Sequence, residues 1–168
     1  VLTPPFAAGA GITAASLAGA APLAAYKFGD QNSGQSNTVL QSDSDLSIAM
    51  AAAGTYVGYG MIIYSASTVA DYQCTFTVPA AAVGWWSPGV TTNTGGGAFT
   101  QPAVPLAFGA TAALGGQGTA SNQWFGVQFS VVMGATAGNL QWQFAQNTSD
   151  ATNLNTRAYS YLLAWKIA

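Results

Sequence analysis

The chain has no histidine and no glutamate, and only three cations, Lys27, Arg157 and Lys166, stand against five aspartates, Asp30, Asp43, Asp45, Asp71 and Asp150. Charged residues make up 5% of the 168 residues, where a globular domain ordinarily carries about 25%. Without histidine there is no Ser-His-Asp or Cys-His nucleophile, and one cysteine cannot assemble a zinc site. Neither lysine follows a glycine-rich loop at the spacing a P-loop needs. Three cations cannot neutralise a phosphate backbone, because affinity for nucleic acid scales with the number of Lys and Arg contacts. The expectation is a protein that is not an enzyme, binds no nucleic acid and carries no cofactor or metal.

A long apolar run is missing too. Residues 1 to 26 are uncharged and rich in alanine, yet Pro4, Pro5, Pro22 and the glycines between them interrupt the run. No basic segment opens it, so it suits neither a secretion signal nor a membrane span. The lone Cys74 has no internal disulfide partner, and strand alternation groups it with Tyr72, Phe76 and Val78 as a buried structural thiol. From Tyr72 through Ser149 no side chain carries a formal charge. A surface that poor in charge is expected to be hidden against copies of the same chain or within a larger assembly.

What the sequence does contain is strand pattern. LSIAM (46 to 50) and YQCTFTV (72 to 78) alternate, and YVGYGMIIY (56 to 64) is rich in aromatic and β-branched residues. WFGVQFSVVM (124 to 133), NLQWQFA (139 to 145) and YSYLLAWKI (159 to 167) continue the series. In the last of these, Tyr159, Tyr161, Leu163, Trp165 and Ile167 share one face. Turn sequences such as MGATAGN (133 to 139) suit hairpins rather than helical crossovers, so the body is an antiparallel β-sandwich or barrel. The polar stretch DQNSGQSN (30 to 37) separates an N-terminal arm and linker, residues 1 to 37, from a body of residues 38 to 168. Within the arm, Thr13 is placed to cap a short helix that Pro22 would stop.

Few residues invite a chemical reading. GAGITA (9 to 14) resembles a dinucleotide fingerprint but lacks the preceding strand that gives the motif its meaning. Asp43 and Asp45, with Ser42 and Ser44, could offer oxygens to a calcium ion, though such residues ahead of a strand more often close a turn. Nothing pins Asp71 or Asp150 opposite a second acid for glycoside hydrolysis. Trp85 and Trp86 are candidate ligand-facing aromatics. Adjacent strand residues point to opposite faces, so at most one is free to stack on a sugar ring, and core packing of both is the expectation. The segment from Ser87 to Asn122, rich in glycine and proline, is long enough to be functional or packed on a neighbour. In QWQFAQNTSDATNL (141 to 154), Trp142 and Phe144 should enter the core, and the Asn147 sequon lies in a loop whose side chains bond their own turn.

GITAASL, QSDSDLSIAM, TYVGYGMIIYSASTVADYQCTFTVPAAAVGWWSP and AGNLQWQFAQNTSDATNLNTRAYSYLLAWKIA together resemble small virion surface proteins of tailed bacteriophages, chiefly of actinobacterial hosts. The resemblance covers most of the chain outside the long central loop and rests on structural motifs. It departs around the arm and the last strand, where Gln, Ala and Gly stand in place of charged residues. It implies a jelly-roll-like β-sandwich with a short N-terminal arm, assembled as a homotrimer in the host cytoplasm and displayed on the virion. It also implies a role as head decoration protein, head fibre or minor tail protein, with capsid or tail proteins as partners. Arm residues Pro5, Phe6, Ile12 and Leu17 would then make the attachment. The alternative is a receptor-binding tip that grips host cell-wall glycan through the 87 to 122 loop and Trp85 or Trp86.

Overall fold

A computed structural model of the chain describes residues 21 to 89 and 105 to 168. The capped helix after Thr13, the GAGITA segment, the arm residues Pro5, Phe6, Ile12 and Leu17, and residues 90 to 104 of the long loop lie outside the described residues. The described chain is all-β and contains β1 (Leu23–Tyr26), β2 (Gln31–Asn32), β3 (Gln41–Met50), β4 (Thr55–Ser65), β5 (Tyr72–Thr77) and β6 (Val83–Pro88). It continues with β7 (Leu106–Ala107), β8 (Ala112–Leu114), β9 (Gln123–Val132), β10 (Gly138–Gln146), β11 (Asn155–Thr156) and β12 (Tyr161–Lys166). They form two antiparallel sheets packed as a β-sandwich. The larger runs β1, β12, β4, β9, β6, β7, with β11 paired to β4 and β2; the smaller runs β3, β10, β5, β8.

Alternation fills the space between the sheets. Tyr56, Ile62 and Tyr64 of β4 and Phe125, Val127, Phe129 and Val131 of β9 meet Tyr72, Cys74 and Phe76 of β5 and Leu140, Trp142 and Phe144 of β10. The aromatic rings interlock: Phe76 meets Trp142 edge to face at 4.7 Å, and Tyr72 stacks on Phe144 at 6.0 Å. Each fully buried ring contributes about 1.5–3 kcal/mol, so this cluster dominates the stability of a chain with so few ion pairs. Gly58 of β4 points into the same layer, and a Cβ there would strike the Phe129 ring and the Leu163 carbonyl. Its lack of a side chain makes room for Phe129.

Two expectations change. First, the boundary at residue 37 falls inside the folded body, because β1 pairs with β12 and β2 pairs with β11. The stretch 30 to 37 is therefore not a free linker; Asn32 pairs with Asn155, and Ser33 N–H donates to the Leu154 carbonyl. Second, MGATAGN makes no hairpin. It carries the chain from β9 in the larger sheet to β10 in the smaller one, and the links from β3 to β4, β4 to β5 and β5 to β6 cross in the same way. Apolar faces on successive strands are buried by placing them in opposite sheets, the alternation expected of a jelly-roll-like sandwich. The face that Tyr161, Leu163 and Trp165 share on the last strand is the outer one, while Leu162 and Ala164 enter the core.

Candidate functional site

The two outer faces of the sandwich differ in chemistry. On the smaller sheet the outward positions include Gln73, Thr77, Asn139, Gln141 and Gln143, whose amides and hydroxyls suit water. On the larger sheet, Trp165, Val57, Ser130 and Trp85 stand side by side across β12, β4, β9 and β6, and Leu163, Tyr59, Gln128 and Ser87 form the next row. None of the outward strand positions of β12, β4, β9 and β6 carries a charge. Tyr59 is 48% exposed, Trp85 41% and Trp124 62%, so large apolar surface faces solvent in the isolated chain. Patches of this kind mark contact or ligand surfaces.

Trp85 and Trp86 part company here. The expectation that both pack in the core fails for Trp85, because β6 is a strand of the larger sheet and its alternation sends one indole to each face. Trp86 is fully buried and meets Phe76 and Trp142 edge to face, with centroids 5.7 Å and 5.9 Å away. Trp85 forms one wall of a groove of about 430 Å³ whose opposite wall is Tyr59 and Trp165. Gln128 and Ser130 of β9 lie between the walls. A second depression of about 260 Å³ begins at the same Tyr59 and Gln128 and ends at Trp124. Aromatic walls with amide and hydroxyl groups between them can stack on flat apolar faces and hydrogen-bond at their edges.

The acidic residues are spent on structure. Asp43 and Asp45 do not close a turn before the strand; both lie within β3, where the register against β10 jumps from Ser47 opposite Gln141 to Ser42 opposite Gln143. Four residues, Asp43 to Leu46, bulge out of the ladder across from Trp142. Gln141 satisfies the bulge, its Nε2 donating to the carbonyls of Asp43 at 2.8 Å and Leu46 at 3.4 Å. The bulge turns the Asp43 carboxylate inward onto buried Lys27, Nζ to Oδ1 2.9 Å. An ammonium therefore occupies the place where the sequence offered calcium ligands. Among the described residues no group of three or more His, Cys, Asp or Glu side chains comes together to hold a metal ion.

Asp71 and Asp150 are likewise engaged in structure, each reaching a neighbouring loop. Asp71 Oδ1 accepts the Gly116 N–H at 2.9 Å. Asp150 Oδ2 accepts from the hydroxyls of Ser67 and Thr152, and these bonds hold its carboxyl below the usual aspartate range. Gln146 clasps the same loop, with Nε2 donating to the carbonyls of Asp150 and Thr152 and Oε1 accepting from Asp150 N–H. The AQNTSDATN segment thus bonds its own turn through Gln146, Asp150 and Thr152, and it is also tied to the 67–71 loop and to Ser36. Asp30 pairs with Arg157 at 2.7 Å.

An antiparallel sandwich with one uncharged aromatic outer face is the class of protein these features define. Compared with protein families, with curated proteins and with solved structures, the chain matches none of them.

Proposed function

We propose that the protein is a non-enzymatic structural component of a tailed-phage virion, a surface protein that assembles as a homotrimer on the capsid or the tail. The observation that carries this reading is the uncharged outer face of the larger sheet, with Tyr59, Trp85, Trp124 and Trp165 on it. Left in water such a face favours association, and contact with a second copy removes it from solvent. A heterologous contact, this face of one subunit against a different surface of the next, closes into a ring when the rotation per subunit is one third of a turn. The virion assignment is supported by the family resemblance of the sequence. In this reading the segment before β1, with Pro5, Phe6, Ile12 and Leu17, docks on the particle, and three weak arm contacts linked through the trimer give strong overall attachment. Electron micrographs of phage particles labelled with an antibody to this chain test the assignment and separate head from tail. Solution mass at micromolar concentration tests assembly, and a stable monomer counts against the trimer.

A second reading is favoured by the groove between Trp85 and the Tyr59–Trp165 pair: a tip module that binds host cell-wall glycan. Pull-down on host cell walls distinguishes the two. Saturable binding that Trp85→Ala abolishes supports the glycan site. Absence of binding, together with trimeric mass, leaves the groove as part of the subunit contact.

A further inference from the structure

Lys27 and Asp43 join the neighbouring edges of the two sheets. Lys27 directly follows β1, the edge strand of the larger sheet, and Asp43 lies in β3, the edge strand of the smaller one. Both side chains are buried, with relative exposures of 1% and 0%. The Lys27 ammonium lies 2.9 Å from Asp43 Oδ1, 3.3 Å from Asp45 Oδ2 and 3.4 Å from Gln31 Oε1. The two Asp43 oxygens are not equivalent. Oδ1 also accepts the backbone N–H groups of Asp45 and Leu46, each at 3.0 Å. Oδ2 is buried without any donor. A buried carboxylate retained only as an ion-pair partner ordinarily has both oxygens satisfied, because an unpaired charged oxygen away from water is costly.

We propose that Lys27 Nζ and Asp43 Cγ condense into an intramolecular isopeptide bond. Asp45, whose Oδ2 accepts from Nζ at 3.3 Å, relays one ammonium proton to Asp43 Oδ2 and so leaves an amine facing a carboxylic acid. Nζ then attacks Cγ at the short separation that the bulge enforces. Negative charge developing on Oδ1 is held by the N–H groups of Asp45 and Leu46, which already point at that atom. The Asp45 carboxylate accepts a second proton from Nζ and delivers it to the Oδ2 hydroxyl, which leaves as water. The ammonium and the carboxylate thus become one amide and one water, with no oxidant or other reactant required. Asp45 is 34% exposed, so the water has a way out. The product removes two buried charges and staples β1 to β3. Pulling on the chain ahead of β1 could then peel β1 from β12 only as far as Lys27, where the load passes to a covalent bond. The inference does not depend on the virion reading.

Intact-mass spectrometry of the purified full chain tests it. The wild type is expected to weigh one water less than its sequence, and digestion should yield a branched peptide joining the segments that contain Lys27 and Asp43. Lys27→Met and Asp43→Ala should weigh their full sequence masses. Asp43→Asn should lose one ammonia in place of water, and Asp45→Asn should fold and keep the full mass. A folded wild type at its full sequence mass overturns the proposal. So does a water loss that maps to any other peptide, such as a succinimide in a loop.

Discussion

Tyr59 of β4 and Trp165 of β12 stack on the outer surface of the larger sheet, ring centroids 5.5 Å apart and planes 27° from parallel. They are diagonal neighbours, since Trp165 is directly opposite Val57 and Tyr59 opposite Leu163. Diagonal aromatic pairs of this kind contribute roughly 0.2–1 kcal/mol to a sheet, yet they also present a flat apolar surface to whatever lies against it. Replacing Tyr59 by Lys should leave the β-sheet circular dichroism unchanged and alter the stability of the isolated subunit by about 1 kcal/mol or less. In the trimer reading the same charge is buried against a neighbour, so sedimentation should show monomer. A variant that stays fully assembled would move the contact to another face.

Tyr72 holds the polar knot inside the aromatic core. Its hydroxyl accepts the Trp142 Nε1–H at 3.1 Å and shares a hydrogen bond with Thr156 Oγ1 at 2.7 Å, linking β5 and β10 of one sheet to β11 of the other. Tyr72→Phe keeps the ring but strands a buried indole N–H and a buried hydroxyl. The expected loss is about 1–3 kcal/mol, read as a lower urea midpoint with an unchanged slope.

The all-β character was legible because β5, β9 and β10 alternate cleanly, and the core positions of Tyr72, Cys74, Phe76, Trp142 and Phe144 follow from that alternation. Which face of a strand is the inner one was less legible. In β4 both faces carry aromatics, Tyr56 and Tyr64 inward and Tyr59 outward, so composition cannot tell core from outer surface. The same ambiguity hid the exposure of Trp85 and the outward turn of Trp165. Lys27 gave no local signal at all. Its partner lies in another sheet, and only the bulge at Asp43 to Leu46 brings the two together. A sheet crossing such as β9 to β10 reads like a hairpin, since its turn residues are the same whichever sheet the next strand joins.

Gly58 offers a sharp test of core packing. An added Cβ meets the Phe129 ring of β9 and the Leu163 carbonyl of β12, so the ring must leave its place in the core and the carbonyl can yield only by disturbing the ladder between β4 and β12. Gly58→Ala should cost about 1–3 kcal/mol through overpacking. Pairing it with Phe129→Leu should recover part of the loss, and strict additivity of the two changes would show that Phe129 is not the obstacle.

Acid should destabilise the fold through two loops. The Ala158 N–H, followed by the Arg157 guanidinium, holds Asp30 below the ordinary aspartate value of 3.8. The hydroxyls of Ser67 and Thr152 do the same for Asp150. Each group binds its proton more weakly folded than unfolded. The stability it contributes is therefore present above pH 3.8 and lost as the pH falls through the lower folded value. Urea midpoints measured on either side of that window should drop on acidification. The double variant Asp30→Asn, Asp150→Asn should be less stable near neutrality and lose less of its remaining stability in acid.

Cys74 provides a reporter of opening that needs no substitution. It is fully buried in β5, its thiol is pushed well above the ordinary range by burial, and its Sγ lies 3.8 Å from the Ala112 carbonyl of β8. Thiolate, the reactive form, is therefore scarce, and no reagent reaches it while β8 stays paired to β5. In native buffer an aromatic disulfide reagent should label no thiol on the timescale that modifies a free cysteine, and in urea it should label one per chain. If labelling needs global unfolding, its rate will fall in proportion to the folding constant, and Tyr72→Phe will accelerate it by the same free energy that lowers the urea midpoint. If only the short β8 edge must detach, labelling will be faster than global unfolding and indifferent to Tyr72. Native labelling within seconds would mean that Cys74 is not in the core.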